Sequence, residues 1–278
     1  MSLFITSLNS GSNGNCYFIG NDSEAVLIDV GISCREIEKR MMRLELSMQK
    51  VKAIFISHEH ADHIRGVVVL ARKYSLPVYI TKATLKNSPI SLEKELVRTF
   101  KADQPIAIGG LVVTPFSKHH DAIDPHSFII EGNGIKIGVL TDIGTPCEQL
   151  IHYFKQCHAA FLEANYDDEL LENGRYPFYL KKRIRGGKGH LSNAQALELF
   201  MDHKPSYMSH LFLSHLSKDN NSPELVEKLF KKHAKKTNIV IASRYNETEV
   251  YRISTTNSKS KILKKGSFIK HTTQMSLF

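Results

Sequence analysis

Short runs of β-branched and aliphatic residues, separated by turn residues, recur along most of the chain. Runs of roughly four to eight such residues are typical of strands that are buried in a sheet. On this pattern we predict strands at residues 4–8, 16–19, 25–29, 51–56, 77–80, 97–100, 106–108, 111–116, 126–131, 135–140, 159–162, 207–213, 239–242 and 248–253. The pair Asn133-Gly134 is a hairpin signal, so the strands on either side of it should run antiparallel.

Helix start signals fall between several of these strands. Ser33 with Glu36, and Ser192 with Gln195, have the spacing of a capping box. We predict helices at residues 33–46, 64–74, 192–202 and 222–234, and another that begins near Thr145. Strands that alternate with occasional helices indicate a layered α/β or α+β domain.

The predicted strand at 51–56 leads into the stretch Ser57-His58-Glu59-His60-Ala61-Asp62-His63. Loops at strand ends often carry chemistry, because the sheet holds them rigidly. Three histidines and an aspartate packed together would each need a polar partner, and one divalent metal can satisfy several of them. A loop that is merely rich in polar residues is the alternative. The spacing predicts a metal-binding loop.

More histidines and acids follow other predicted strands. His120, Asp142 and His215 each come after an apolar run. Together with the His-rich loop they provide five imidazoles and two carboxylates, which is enough for two metals that share a bridging carboxylate. Nitrogen and oxygen ligands without thiolate suit Zn²⁺, Mn²⁺ or Fe, and the ligands alone do not choose among these metals.

Two other segments have the composition of substrate-binding elements. The turn-rich loop at 9–15 contains Ser12 and Asn13, and it is either a plain hairpin connection or a set of backbone N–H groups that can meet an anion. A basic run precedes His190 and comprises Lys181, Lys182, Arg183, Arg185 and Lys188. Such a run is ordinarily a solvated face. Beside a catalytic His190 it would instead grip phosphates.

Composition narrows the class of protein. The chain has 278 residues, of which 42% are apolar and 23% charged, as in ordinary globular proteins. Its net charge of +9 attracts polyanions, although charge alone proves neither nucleic-acid nor membrane binding. No apolar run approaches the roughly 20 residues that cross a bilayer. The N-terminus lacks signal-peptide features, and the four cysteines show no Cys-x-x-Cys spacing, so we expect a cytoplasmic protein with reduced thiols.

The pattern His58-x-His60-x-Asp62-His63, followed by His120, Asp142 and His215, resembles the metallo-β-lactamase fold superfamily. The resemblance covers residues 3–254. It implies an α/β fold, a four-layer αββα sandwich with a dinuclear metal site at its rim. We therefore expect one domain over residues 1–255, followed by a basic tail at 256–278. Within the superfamily, the segments 10–15, 120–125, 189–193 and 215–221 are similar to the YycJ/WalJ group, which is regarded as a set of 5′ to 3′ DNA exonucleases.

The resemblance also implies roles for individual residues. His58, His60 and His120 would hold one metal, Asp62, His63 and His215 the other, and Asp142 would bridge them. His119 is the alternative to His120, but the spacing to Pro125 favours His120. Glu163 and His190 are similar to elements of the tRNase Z branch, in which the histidine is thought to protonate the leaving oxygen and the glutamate to orient it.

The sequence thus predicts a dinuclear phosphodiesterase that acts on nucleic acid, holds two divalent metals and uses a metal-bridging hydroxide as nucleophile. The catalytic residues would be Asp62, Glu163 and His190. Hydrolysis of a small thioester or lactam is the alternative within the superfamily, and the basic run and His190 speak against it. A di-iron protein that reduces oxygen would have a carboxylate at position 60. Only 72 residues separate Asp142 from His215, which disfavours RNA nucleases with an inserted domain.

The chain ends in Gln274-Met275-Ser276-Leu277-Phe278. This segment resembles the short Gln-x-x-Leu-Phe peptide with which bacterial DNA enzymes bind the replicative sliding clamp. Gln274, Leu277 and Phe278 are therefore candidate partner-binding residues. The lysines before them would equally serve to keep a disordered tail soluble.

Overall fold

The predicted strands form two mixed sheets in the computed structural model, which describes residues 2–255. The strands of this part of the chain are β1 (Ser2–Asn9), β2 (Cys16–Gly20), β3 (Ala25–Ile28), β4 (Val51–Phe55), β5 (Val78–Tyr79), β6 (Val97–Arg98), β7 (Ile106–Ile108), β8 (Leu111–Ser117), β9 (His126–Gly132), β10 (Ile135–Leu140), β11 (Ala159–Glu163), β12 (His210–Ser214), β13 (Asn238–Ile241) and β14 (Tyr251–Ser254). The first sheet has the order β14-β1-β2-β3-β4-β5-β6, and the second has the order β13-β12-β11-β10-β9-β8-β7.

Helices pack on the outer faces of the two sheets or lie in the loops at their edge. They are α1 (Cys34–Arg43), α2 (Ala61–Ile64), α3 (Val67–Tyr74), α4 (Lys82–Lys86), α5 (Glu148–Phe154), α6 (Asp168–Asn173), α7 (Phe178–Arg185), α8 (Asn193–His203) and α9 (Pro223–Lys231), with a 3₁₀ turn at Met48–Lys50. Among the described residues, no helix combines the length and apolar character needed to cross a membrane.

The hydrophobic core has three layers that alternate with the sheets. The inner faces of the two sheets pack on each other, as in the pair Tyr17 and Phe161, whose ring centroids are 4.9 Å apart. The outer face of the second sheet packs on α5, α8 and α9, which contribute Phe154, Phe200 and Phe230. Residues of α1 and α3 cover the outer face of the first sheet. This is the αββα sandwich that the resemblance implied, and the predicted fold class is confirmed.

Strand direction decides where the polar loops meet. In the first sheet β3, β4 and β5 are parallel, and in the second sheet β10, β11, β12 and β13 are parallel. The carboxyl ends of neighbouring parallel strands open onto the same edge of a sheet, where the loops that follow them come together. The residues after β3, β4, β10, β11 and β12 are therefore neighbours in space although they are far apart in sequence.

Several helix predictions need correction. The helix predicted at 64–74 is divided into α2 and α3 at Gly66, where a Cβ atom would lie 2.0 Å from the carbonyl oxygen of Ile32. The helix predicted to begin at Thr145 begins at Glu148, because the side chain of Cys147 accepts from the N–H of Leu150. Helices α6 and α7 were not predicted, and α7 contains most of the basic run.

Candidate metal centre and active site

The His-rich loop follows β4 at the shared edge of the sandwich. His58 and His63 are fully buried, whereas His60 and Asp62 are partly exposed. His60 occupies the N-cap position of α2, and Asp62 lies in the first turn of that helix. The short helix therefore turns the chain back so that His63 lies beside His58, with ring centroids 4.0 Å apart.

Two groups of potential ligands form around this loop. The ring nitrogens of His58, His60 and His120 lie within 4.8 Å of one another. The second group consists of Asp62, His63 and His215, with the same spacing of ligand atoms. Both His63 Nε2 and His215 Nε2 are 3.5 Å from Asp62 Oδ2. The structure thus brings together all six residues that the sequence assigned to two metals, in the same two sets of three.

Asp142 lies between the two groups. Its Oδ2 is 3.3 Å from His63 Nε2 of the second group, and its Oδ1 is 3.8 Å from His120 Nε2 of the first. The residue follows β10 with a φ of +56°, a left-handed conformation that aspartate adopts more readily than most residues. The carboxylate is 2% exposed and is placed where a bridging ligand would be.

The buried imidazoles are oriented in the same way. In each of them Nδ1 faces a fixed acceptor, which leaves Nε2 for the centre of the site. The acceptors are Ser57 Oγ for His58 (2.9 Å), Asp29 Oδ2 for His63 (2.7 Å), the Gly189 carbonyl for His120 (3.1 Å) and Glu163 Oε1 for His215 (3.0 Å). Histidines that bind metals almost always have such a partner on the other ring nitrogen, because it fixes the tautomer and the ring orientation.

The polar atoms at the centre fit a divalent cation. Among residues 2–255, His120 Nε2 and Asp142 Oδ2 are buried and have no hydrogen-bond partner, a condition that costs free energy unless a ligand is bound. Burial lowers the pKa of His120 to about 4, which keeps its nitrogen free to bind a cation. Burial alone would raise the pKa of Asp142. The nearby His215 and His63 have the larger combined effect and hold this pKa well below its usual range. Burial also lowers the pKa of His58, so the free ring nitrogens of His58 and His120, together with the anionic carboxylate of Asp142, are donors that suit a divalent metal.

Asp29 supports the centre and was not predicted. It directly follows β3 with a φ of +59°, and its carboxylate accepts hydrogen bonds from His63 and from the backbone and hydroxyl of Ser57. Ser57 in turn contacts His58, so one buried carboxylate orients a histidine of each group. The sequence carried a signal for it, since Asp29 ends a predicted strand just as Asp142 follows one. Asn15, also missed, donates to Asp62 Oδ2 over 3.2 Å.

Glu163 and His190 form the predicted pair. Glu163 ends β11, is fully buried, and its Oε1 lies 2.7 Å from His190 Nδ1. Burial raises the pKa of Glu163, but His190 and His215 lower it to about 2, so the carboxylate stays ionised. Its ligand atoms lie near Asp142 as well. However, the backbone N–H groups of Ile143 and Leu191 occupy Oε2, and such a carboxylate orients its histidine neighbours rather than binding a metal.

A cavity of about 320 Å³ opens in front of the centre. Its lining includes the ligand candidates His60, Asp62, Asp142 and His215, together with His190. The side chain of His190 is 23% exposed, so it can reach a bound molecule. Asp121, Asn165, Tyr176 and Ser217 also line the cavity, and the sequence had assigned no role to them, although Asp121 and Ser217 lie in segments that resemble the family.

The structure places two of the predicted substrate-binding residues at the cavity and the others away from it. Ser12 and Arg183 line the cavity, and Arg183 Nε pairs with Asp121 Oδ2 at 2.5 Å. Asn13 instead donates to the backbone of Arg244. The other basic residues do not line the cavity: Lys181 and Arg185 contact Glu172, and Lys182 and Lys188 are exposed. Of the basic run at 181–188 that was predicted to bind phosphate, Arg183 is therefore the one described residue that lines the cavity. The exposed His119 takes no part in the ligand groups.

Comparisons with known proteins agree with this geometry. A model of the beta-lactamase superfamily domain matches residues 24–215. The exodeoxyribonuclease YycJ of Bacillus anthracis is 35% identical over 233 residues, which cover 81% of this chain and 86% of that protein. The exodeoxyribonuclease WalJ of Streptococcus pneumoniae is 31% identical over 223 residues, with coverages of 78% and 83%.

A solved structure shows the same architecture. The metallo-beta-lactamase fold protein YhfI from Bacillus subtilis superposes with a TM-score of 0.70 at 17% identity, and the match covers 91% of this chain and all of that one. At this level of identity the likeness concerns the fold. The family model and the relatives confirm the resemblance that the His-rich motif indicated, and the chain belongs to the beta-lactamase superfamily, in which it is a relative of the exodeoxyribonucleases YycJ and WalJ.

Proposed function

We propose that the protein is a DNA exonuclease that uses two divalent metals. Zn²⁺ and Mn²⁺ are the first candidates for these metals, and Fe is the third. The observation that carries the proposal is the pair of ligand groups joined by Asp142, with the hydrogen-bonded Glu163 and His190 on the same cavity wall. Relatives named as exodeoxyribonucleases cover most of the chain, and they support DNA as the substrate. We further propose that cleavage runs from 5′ to 3′.

The protein's own residues divide the work between them. His58, His60 and His120 would hold one metal, Asp62, His63 and His215 the other, and Asp142 would contact both. Divalent metals supply Lewis acidity toward phosphoryl oxygens and toward a water molecule. Asp62 contributes a second carboxylate at the cavity wall, where it is 3.5 Å from both histidines of its group and can orient a water molecule.

His190 is placed to handle the leaving oxygen. Its Nδ1 is fixed by the ionised Glu163, so the other ring nitrogen is directed away from that carboxylate and is available to the cavity. A histidine held in this way can donate a proton to a departing alkoxide, a transfer that typically contributes a factor of about 10² to 10⁴ in rate. Glu163 fixes the ring in this orientation and thereby supports this role.

Arg183 and the polarity of the cavity favour a phosphodiester over a small thioester or lactam. The guanidinium at the cavity wall is held by Asp121 and can meet a phosphate oxygen. Phosphate contacts of this kind position nucleic acid without reading its sequence. We therefore expect cleavage without base preference.

The test is a panel of end-labelled DNA and RNA strands with a 5′ phosphate or a 5′ hydroxyl, single- or double-stranded, incubated with Zn²⁺, Mn²⁺ or Mg²⁺. Release of mononucleotides from the 5′ end of DNA is the expected result. Asp142→Asn should abolish it, whereas the exposed control Asp202→Asn on α8 should not. Undiminished digestion by metal-loaded Asp142→Asn would refute the bridging role, and cleavage of RNA alone would refute the substrate.

Three further proposals rest on the sequence. Gln274, Leu277 and Phe278 lie outside the described residues, so binding to a sliding clamp stays a prediction, tested by whether removal of 274–278 ends co-elution with the clamp. We also propose a cytoplasmic location, where the protein would meet cellular DNA. The expected division into a domain at 1–255 and a tail at 256–278 is likewise a proposal, which limited proteolysis would test.

A further inference from the structure

The segment that leads into α7 forms one side of the cavity. Tyr176, Leu180, Arg183 and Ile184 line it. Leu180, Arg183 and Ile184 are three and four positions apart and therefore share one face of the helix. Tyr176 is held in place because its hydroxyl donates to Asp219 Oδ2 over 2.9 Å. One face of α7 is thus part of the active site.

The adjoining face of α7 carries two aromatic side chains that are left in solvent. Phe178 is 81% exposed and Tyr179 is 74% exposed, the two highest values among the exposed large hydrophobic side chains of the described residues. No residue of α7 is fully buried, so packing gives no reason for aromatic residues here. Two neighbouring exposed aromatics beside a cavity are typical of a surface that binds a ligand.

Positive charge lies on the same face. Lys182 is four positions after Phe178, and Arg183 is four positions after Tyr179, so each aromatic ring neighbours a cation on the helix surface. Arg183 and Arg185 are paired with Asp121 and Glu172. Lys182 is exposed and forms no ion pair with another described residue, which leaves positive charge beside the rings.

We propose that Phe178, Tyr179 and Lys182, here called the aromatic strip, bind single-stranded DNA by stacking on the bases next to the nucleotide in the cavity. This inference rests on the proposed nuclease function and adds a substrate-binding subsite to it. Proteins that bind single strands combine cationic side chains, which follow the backbone, with aromatic rings, on which successive bases stack. Because every base has a π-face, such a subsite accepts any sequence, as an exonuclease requires.

The position of the aromatic strip determines the path of the bound single-stranded DNA. Tyr179 and Arg183 are neighbours on the helix, and Arg183 belongs to the cavity wall. A strand whose phosphodiester meets Arg183 can therefore continue along the rings without crossing other elements. An anionic lipid surface would also attract aromatic and basic residues. Continuity with the cavity favours nucleic acid.

The experiment compares two substrates for each variant. One is a single strand of about twelve nucleotides, a length within the usual site sizes of single-strand binders. The other is thymidine 5′-monophosphate p-nitrophenyl ester, which has no base beyond the cavity. In Phe178→Ala/Tyr179→Ala we expect the ratio of kcat/KM for the strand to kcat/KM for the ester to fall at least about 30-fold, the lower end of the range for two lost stacking contacts.

Matched variants separate stacking from other effects. Phe178→Tyr/Tyr179→Phe keeps both rings and should keep the ratio. Tyr207→Ala removes a ring that is 53% exposed at the opposite, amino-terminal end of β12 and should also leave the ratio unchanged. Exposed positions such as these change folding stability little, and thermal melting checks this for each variant.

An unchanged ratio in Phe178→Ala/Tyr179→Ala would overturn the inference. So would binding of the wild-type protein to phosphatidylserine vesicles that depends on the two rings while binding to the strand does not. If the wild-type protein cleaves neither substrate, the proposed nuclease function fails. The aromatic strip is then tested by fluorescence anisotropy of the labelled strand, where loss of binding in the alanine variant supports it and equal binding refutes it.

Discussion

Asp29→Asn should weaken the metal centre without altering the fold. Asparagine has the shape of aspartate and also tolerates the left-handed backbone at this position, where φ is +59°. The change removes the negative charge and replaces one acceptor oxygen by an NH₂ group. Asp29 accepts from His63 Nδ1 at 2.7 Å and from the N–H and hydroxyl of Ser57, both at 2.8 Å. Whichever way the asparagine amide is turned, its NH₂ group therefore faces at least one of these donors.

The expected loss follows from the role of the contact. Partners behind a metal-binding histidine typically contribute a factor of about 10 to 100 in metal affinity, or about 1.4 to 2.7 kcal/mol. His63 is contacted directly, whereas His58 is reached only through Ser57. The affinity for a metal held by Asp62, His63 and His215 should therefore fall more than the affinity for a metal held by His58, His60 and His120.

Competition with a chromophoric chelator measures the two affinities. The wild-type protein should retain two equivalents of Zn²⁺ at chelator concentrations where Asp29→Asn retains about one. Asp22→Asn is the matched control, because Asp22 is an exposed residue just before the opposite end of β3. Equal affinity and stoichiometry in Asp29→Asn and in the wild-type protein would refute the argument that this carboxylate organises the site.

Three further predictions concern Glu163, removal of the metals and the buried His210. Glu163→Gln should lower kcat for DNA by about 10² to 10⁴ with a smaller change in KM, because it removes the carboxylate that fixes His190 Nδ1; an unchanged kcat would contradict this. Chelation of the metals should lower Tm, since ligand present at about a thousand times Kd contributes about 4 kcal/mol, and a Tm that ignores Zn²⁺ would count against the site. Burial lowers the pKa of His210 to about 4 from 6.5. Between about pH 7 and pH 5 the unfolded chain therefore takes up a proton that the folded chain does not, and unfolding becomes easier by about 2 kcal/mol. His210→Phe should remove this share, seen as a smaller shift of the urea midpoint between the two pH values, and an equal shift would exclude it.

The amino-acid sequence was enough to predict most of the strands, the fold class and the six ligand candidates with Asp142. Strands could be predicted because their apolar runs are local, and the ligands because histidines and acids that directly follow such runs stand out against ordinary loops. Glu163 and His190 were also found from the sequence, through the resemblance to a known family. The pattern His58-x-His60-x-Asp62-His63 already contains four candidate ligands within one loop.

How these residues are held, and which other residues reach them, depends on the tertiary fold. Asp29 and Ser57 orient two histidines, and the Gly189 carbonyl orients His120, through contacts between segments far apart in sequence. Arg183 reaches the cavity while the neighbouring basic residues do not, because α7 turns different faces toward the cavity and toward solvent. A run of charges shows no such division, since the direction of each side chain depends on where the helix lies against the two sheets.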